Sequence, residues 1–149
     1  MDWFVRRFLK SALVSLGLGV GMGAWFALDP AAIVYRPAHA HLNLLGFVTM
    51  AIAGVAYHVI PRFTGHPLHS RRLAGAHWWA ANAGLAILVA GFLLNPHRPR
   101  VAGWLLGTGG LLAAGGAYLF IYNLWRTIDG RAPAPRTAGG PGVRLPVSG

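Results

Sequence analysis

Four stretches of this chain are apolar almost without a break, at about Val5–Leu28, Ala38–Ile60, Leu73–Leu94 and Val101–Trp125. Each holds the roughly 20 residues that, at about 1.5 Å of rise per residue, cross about 30 Å of hydrocarbon. The pattern predicts an all-α membrane protein with four transmembrane helices in a domain covering residues 1–130. The connections are short, so neighbouring helices run antiparallel as a bundle. Arg6, Arg7 and Lys10 precede the first apolar run, as in a secretory leader. The run is longer than the apolar core of such a leader, which favours a first transmembrane helix. Residues 131–149 are rich in Pro, Gly and Ala and poor in large apolar side chains, and are expected to form a disordered cytoplasmic tail.

Composition supports lipid as the main solvent. Of the 149 residues, 55% are hydrophobic and 11% charged, against about 25% charged in soluble domains. The absence of cysteine removes disulfides, thiolate-bound zinc and iron–sulfur clusters. The net charge of +10 is a topology signal. Ten of the thirteen basic residues flank one side of the spans (Arg6, Arg7, Lys10, Arg62, Arg71, Arg72, Arg126, Arg131, Arg136, Arg144) and three the other (Arg36, Arg98, Arg100). That bias predicts both termini in the cytoplasm, and a multi-pass place in the cytoplasmic (inner) membrane of a prokaryote is expected. Because the charges flank spans and form no continuous basic face, no nucleic-acid partner is expected.

Small residues recur four apart at Gly17/Gly21, Gly19/Gly23, Ala76/Ala80/Gly84 and Gly103/Gly107. Such spacing lets helix backbones approach closely in lipid. Four spans cannot use all these faces internally, so a homo-oligomer is expected.

The densest candidate chemistry is His39-Ala40-His41 at the head of the second span. Ionisable residues in lipid are costly and mark function, and imidazole is a common metal and haem ligand. The two positions differ by roughly 200° around a helix. They point to nearly opposite sides, which suits two separate ligand positions better than one compact ion site. Hydrated residues at the lipid–water boundary are the plainer alternative. Arg36, Arg98 and Arg100 lie at the same end, where their forks suit carboxylates such as haem propionates or lipid phosphates. A second histidine set, His58, His66, His69 and His77, lies at the other end, about 26 Å from His41 by helical rise. His58 and His77 are expected to approach each other, with His58 the more buried. Together they are candidates for copper, zinc or non-haem iron.

The run His39-Ala40-His41-Leu42-Asn43-Leu44-Leu45-Gly46-Phe47-Val48, with Gly54, Tyr57 and Pro61 beyond it, resembles a haem-binding helix of haem-copper oxidase subunit I. The likeness extends to the cbb3-type oxidases, nitric oxide reductases and the NnrS family. The resemblance implies that haem b is bound, with His39 matching the ligand of a high-spin haem and His41 that of a low-spin haem. It also implies respiratory electron transfer or binding of nitric oxide or oxygen. The family subunit has twelve helices in three arcs of four, with ligands on the second helix of each arc. This chain then matches one arc, and a homotrimer would restore three. Partners implied are nitric oxide reductase or cytochrome oxidase subunits, and a cofactor-free accessory or assembly subunit is the alternative role. No catalytic residues are assigned, and oxygen or nitric oxide reduction by this chain alone is not expected.

Overall fold

The computed structural model describes residues 1–130, and the expected tail at 131–149 lies outside the described residues. Helix α1 is Trp3–Leu28. A 3-10 turn, Pro30–Tyr35, leads into α2, Arg36–His41. The chain continues without interruption through a π-helical stretch, Leu42–Thr49, into α3, Met50–Thr64. Helices α4, Arg71–Leu94, and α5, Pro99–Ile128, complete the fold. Four helical spans are long and apolar enough to cross a membrane, the second being Pro30–Thr64. The chain is therefore a multi-pass membrane protein. The N face denotes the end where α1 and α4 begin.

The helices overrun the expected boundaries for reasons visible in the sequence. Pro30 and Pro37 sit in the first turns of their helices, where a missing N–H costs nothing. The Asp29 side chain accepts from Ala31 N–H at 3.1 Å and caps the first of these turns. Pro61 lies inside α3, which runs on to Thr64 and ends at Gly65 with φ +70°, a left-handed conformation that glycine adopts without strain.

Glycines set the closest packing. A methyl group on Gly84 of α4 would lie 2.7 Å from the Ala113 backbone nitrogen, and one on Gly109 of α5 would lie 2.8 Å from Leu88 N. The α4–α5 hairpin is thus in backbone-to-backbone contact. Gly17, Gly21, Gly103 and Gly107 meet nothing within 4 Å. Gly19 and Gly84 thus pack inside the bundle, and Gly17 and Gly103 stand on open faces.

The core is thickest towards the N face, where Phe4, Phe8, Met50 and Tyr57 are buried. The turn between α3 and α4 is held there by α5. Asn123, which is 0% exposed, accepts from Ser70 N–H and donates to Ser70 C=O, both at 2.9 Å. Thr127 Oγ1 accepts from His69 N–H at 3.0 Å and donates to Asn123 C=O at 2.7 Å. These bonds satisfy loop amides that face apolar surroundings. Replacing Asn123 with Leu is expected to destabilise the protein by about 1–3 kcal/mol, because Ser70 N–H loses its partner and Ser70 C=O keeps only the 3.3 Å bond from Ala74 N–H. Denaturant unfolding in detergent measures this, and Thr108→Ala on an exposed face should leave the midpoint unchanged.

Candidate haem-ligand site

Helix α2 carries His39 and His41 in its last turn, and their rings go to different helices, as the helical angle predicts. His39 turns towards α1. Its Nδ1 lies 2.8 Å from Gly19 C=O, and its ring stands 5.5 Å from that of Phe26. A methyl group on Gly23 would lie 3.3 Å from His39 Cε1, so bare backbone at this position lets the ring dock. His41 turns towards α4, its ring centroid 4.6 Å from that of Phe92. Its Nδ1 lies 2.8 Å from Pro37 C=O, one turn back.

A carbonyl only accepts, so Nδ1 is the protonated nitrogen in both rings. In the neutral imidazole that leaves the lone pair on Nε2. Metal-bound histidines show the same arrangement, with the non-ligating N–H donated to a carbonyl or carboxylate. His41 Nε2 has no hydrogen-bond partner among the described residues. His39 Nε2 has the Asn43 amide 3.5 Å away.

Asn43 is a residue whose role the sequence pattern did not reveal. Its Nδ2 donates to His39 C=O at 2.8 Å and lies 3.4 Å from His39 Nδ1. It is the second residue of the π-helical stretch Leu42–Thr49, where the wider turn disturbs the regular ladder. Thr49 Oγ1, five residues beyond Leu44, donates to the Leu44 carbonyl at 2.9 Å in the same manner. Short π-helical segments recur at functional sites. The only hint in the sequence was that Asn43 falls four residues after His39, on the same side of the helix.

The arginines at this end are exposed. Tyr35 Oη lies 3.0 Å from His97 Nε2, which ties the neighbour of Arg36 to the neighbour of Arg98. Arg36, Arg98 and Arg100 thus share one end with His39 and His41.

The expected histidine cluster at the N face differs from the structure. His77, 3% exposed, is the buried histidine, and His58 is only half-buried. Helix α3 turns Tyr57 inward, and its hydroxyl meets His77 Nδ1 at 3.1 Å. His58 instead lies against Arg62, whose Nη1 is 3.1 Å from His58 Nδ1. No described contact joins His58 to His77. No group of three or more metal-ligating side chains occurs among the described residues.

The sequence model of the family "Cytochrome C and Quinol oxidase polypeptide I" matches residues 32–98, from the 3-10 turn through His39 and His41 to the end of the α4–α5 connection. A cytochrome c oxidase subunit 1 of Thermus thermophilus is 31% identical over 100 residues, covering 61% of this chain and 93% of that relative. The chain belongs to the cytochrome c and quinol oxidase subunit I family. Two longer members show how much of the family subunit is represented. The cbb3-type cytochrome c oxidase subunit CcoN1 of Stutzerimonas stutzeri is 25% identical over an alignment of 160 positions, covering 87% of this chain and 34% of its own length. Another Thermus thermophilus cytochrome c oxidase subunit 1 is 31% identical over an alignment of 170 positions, covering 95% of this chain and 30% of its own length. The chain spans about a third of the length of these relatives.

Gly19 supplies the carbonyl for His39 and the space for Asn43, since a methyl group there would lie 2.5 Å from Asn43 Nδ2. Gly19→Ala is expected to destabilise the protein by about 1–3 kcal/mol through this overpacking. Gly21→Ala, on the open side of the same helix, should be neutral or slightly stabilising in the same thermal unfolding measurement in detergent.

Proposed function

We propose that this oxidase-family chain is a small membrane haem b protein in which His41 provides an axial nitrogen and His39 a second ligand position. The observation that carries the reading is the pair of Nδ1–H groups donated to Gly19 C=O and Pro37 C=O, which presents Nε2 of each ring for coordination. The donor set fits the group. Two imidazoles match haem iron, three arginines at the same end match propionates, and the absence of cysteine leaves haem attached without thioether bonds. Bound there, haem would supply one-electron transfer, or a gas-binding position if one axial site stays open. The protein's own part is to fix the two rings and to surround them with the apolar faces of Phe26 and Phe92.

The copper, zinc or non-haem iron reading at His58 and His77 receives no such support. Tyr57 occupies His77 Nδ1, and the Arg62 cation adjoins His58.

The bias of basic residues supports a cytoplasmic (inner) membrane location with the N face and both termini inside and the His39/His41 end outside. Oligomerisation belongs to the same reading. An apolar groove of about 390 Å³ runs along α3 beside Ala51, Ile52, Val55, Ala56, Val59 and Ile60. A neighbouring copy seated there would bring second spans together, and three copies would supply the helix number of the resembled subunit. Oxidase or nitric oxide reductase subunits are the partners of the heteromeric alternative.

Two measurements test this. Protein made with ample haem should show a Soret band in detergent, shifting on dithionite reduction. His41→Ala should remove most of the band, His39→Ala should alter its position, and His58→Ala should leave it intact. Absence of the band in the unaltered protein favours a cofactor-free accessory subunit. Mass measurement in mild detergent should give three protomers, and a monomer would contradict the trimer.

A further inference from the structure

We propose that the N-face end of the α1–α4 seam is a binding site for an anionic glycerophospholipid. The site is built from residues that otherwise serve only as topology signals. Trp3 at the start of α1 reaches across to α4, where a methyl group on Gly75 would lie 3.1 Å from the indole. The Arg7 guanidinium is held between two indoles, 4.9 Å from the ring centre of Trp3 and 5.0 Å from that of Trp78. Trp78 Nε1–H donates to Ser11 Oγ at 3.2 Å, fixing the second indole to α1. Cation–π contact of this kind immobilises an arginine without neutralising it. Arg6 and Lys10, one turn apart, complete a cavity of about 330 Å³ lined by Trp3, Arg6, Arg7 and Lys10.

No carboxylate answers these three cations among the described residues. The nearest acid in sequence, Asp2, is paired with Arg71. A phosphodiester is the anion that suits the place, because the same seam continues into lipid as an apolar groove. Val14 and Leu18 follow Arg7 at seven and eleven residues, on its face of α1. Asn82, Leu85 and Val89 follow Trp78 on α4. Together they line a groove of about 440 Å³. From Arg7 to Leu18 the rise is roughly 16 Å, close to half of the roughly 30 Å hydrocarbon thickness. A phospholipid with its phosphate against Arg6, Arg7 and Lys10 would lay one acyl chain along this seam. A free anion would leave the groove unused, and a zwitterionic headgroup would place its own cation among three others.

The test uses the full chain in micelles containing equal amounts of phosphatidylglycerol and phosphatidylcholine, with bound lipid read by native mass spectrometry. Phosphatidylglycerol should be retained in preference by about tenfold, as expected for several basic residues each favouring an anionic surface. The combined Arg6→Gln, Arg7→Gln, Lys10→Gln variant should lose the preference. Arg62→Gln with Arg72→Gln, at the same face outside the seam, should keep it. Equal retention of the two lipids by the unaltered protein would overturn the proposal even if the triple variant fails to fold. So would a preference that survives in the triple variant, or complete displacement of phosphatidylglycerol by excess inorganic phosphate.

Discussion

The contact between the His39 ring and the Gly19 carbonyl joins the first two spans and sets the chemistry of the site at once. In lipid a polar side chain has no water to turn to, and most carbonyls are already taken by helical hydrogen bonds. A histidine must therefore share a carbonyl, and it can reach one on a neighbouring helix only where that helix has no side chain in the way. Gly19 and Gly23 provide this opening on α1, and Gly19 supplies the acceptor as well. Once Nδ1–H is committed, the ring has one tautomer and one orientation, and Nε2 becomes the nitrogen it can offer. His41 reaches the same state by a shorter route, through the carbonyl of Pro37.

The π-helical stretch after His41 belongs to the same economy of polar groups. Asn43 and Thr49 donate from their side chains to the backbone carbonyls of His39 and Leu44 along it. The hairpin of α4 and α5, with glycines in backbone contact, forms the wall against which His41 and Phe92 meet. At the N face, Asn123 and Thr127 tie the α3–α4 turn to α5. The two ends of the bundle are thus fixed by different means, one by aromatic and loop-clamping contacts and one by histidine–carbonyl bonds.

Much of this was legible in the sequence. The four spans follow from apolar length alone, and the opposite directions of His39 and His41 follow from two steps around a helix. The helices extend beyond the apolar runs through Pro30 and Pro37, which occupy first turns, and through Pro61, which lies inside α3. Which glycines pack and which stay bare was not legible. Gly17 and Gly19 open two interleaved four-residue repeats on nearly opposite sides of α1, and only the position of Asn43 decides between them. The pairing at the N face was misread by one residue. Tyr57 and His58 differ by about 100° around the helix, and the inward side was set by Phe4, Phe8 and Phe120, on two other helices. The π-helical stretch left no mark in the composition.

The central claim is that two imidazoles are held with Nδ1–H committed to a carbonyl and the lone pair left on Nε2 before any ligand arrives. The ring-nitrogen NMR spectrum of histidine-labelled, haem-free protein at alkaline pH, where imidazole is neutral, tests it most directly. The account predicts that His39 and His41 both show protonated Nδ1 and bare Nε2, with the Nε2 signals displaced most when haem is added. Protonated Nε2 on either ring in the haem-free protein would contradict it.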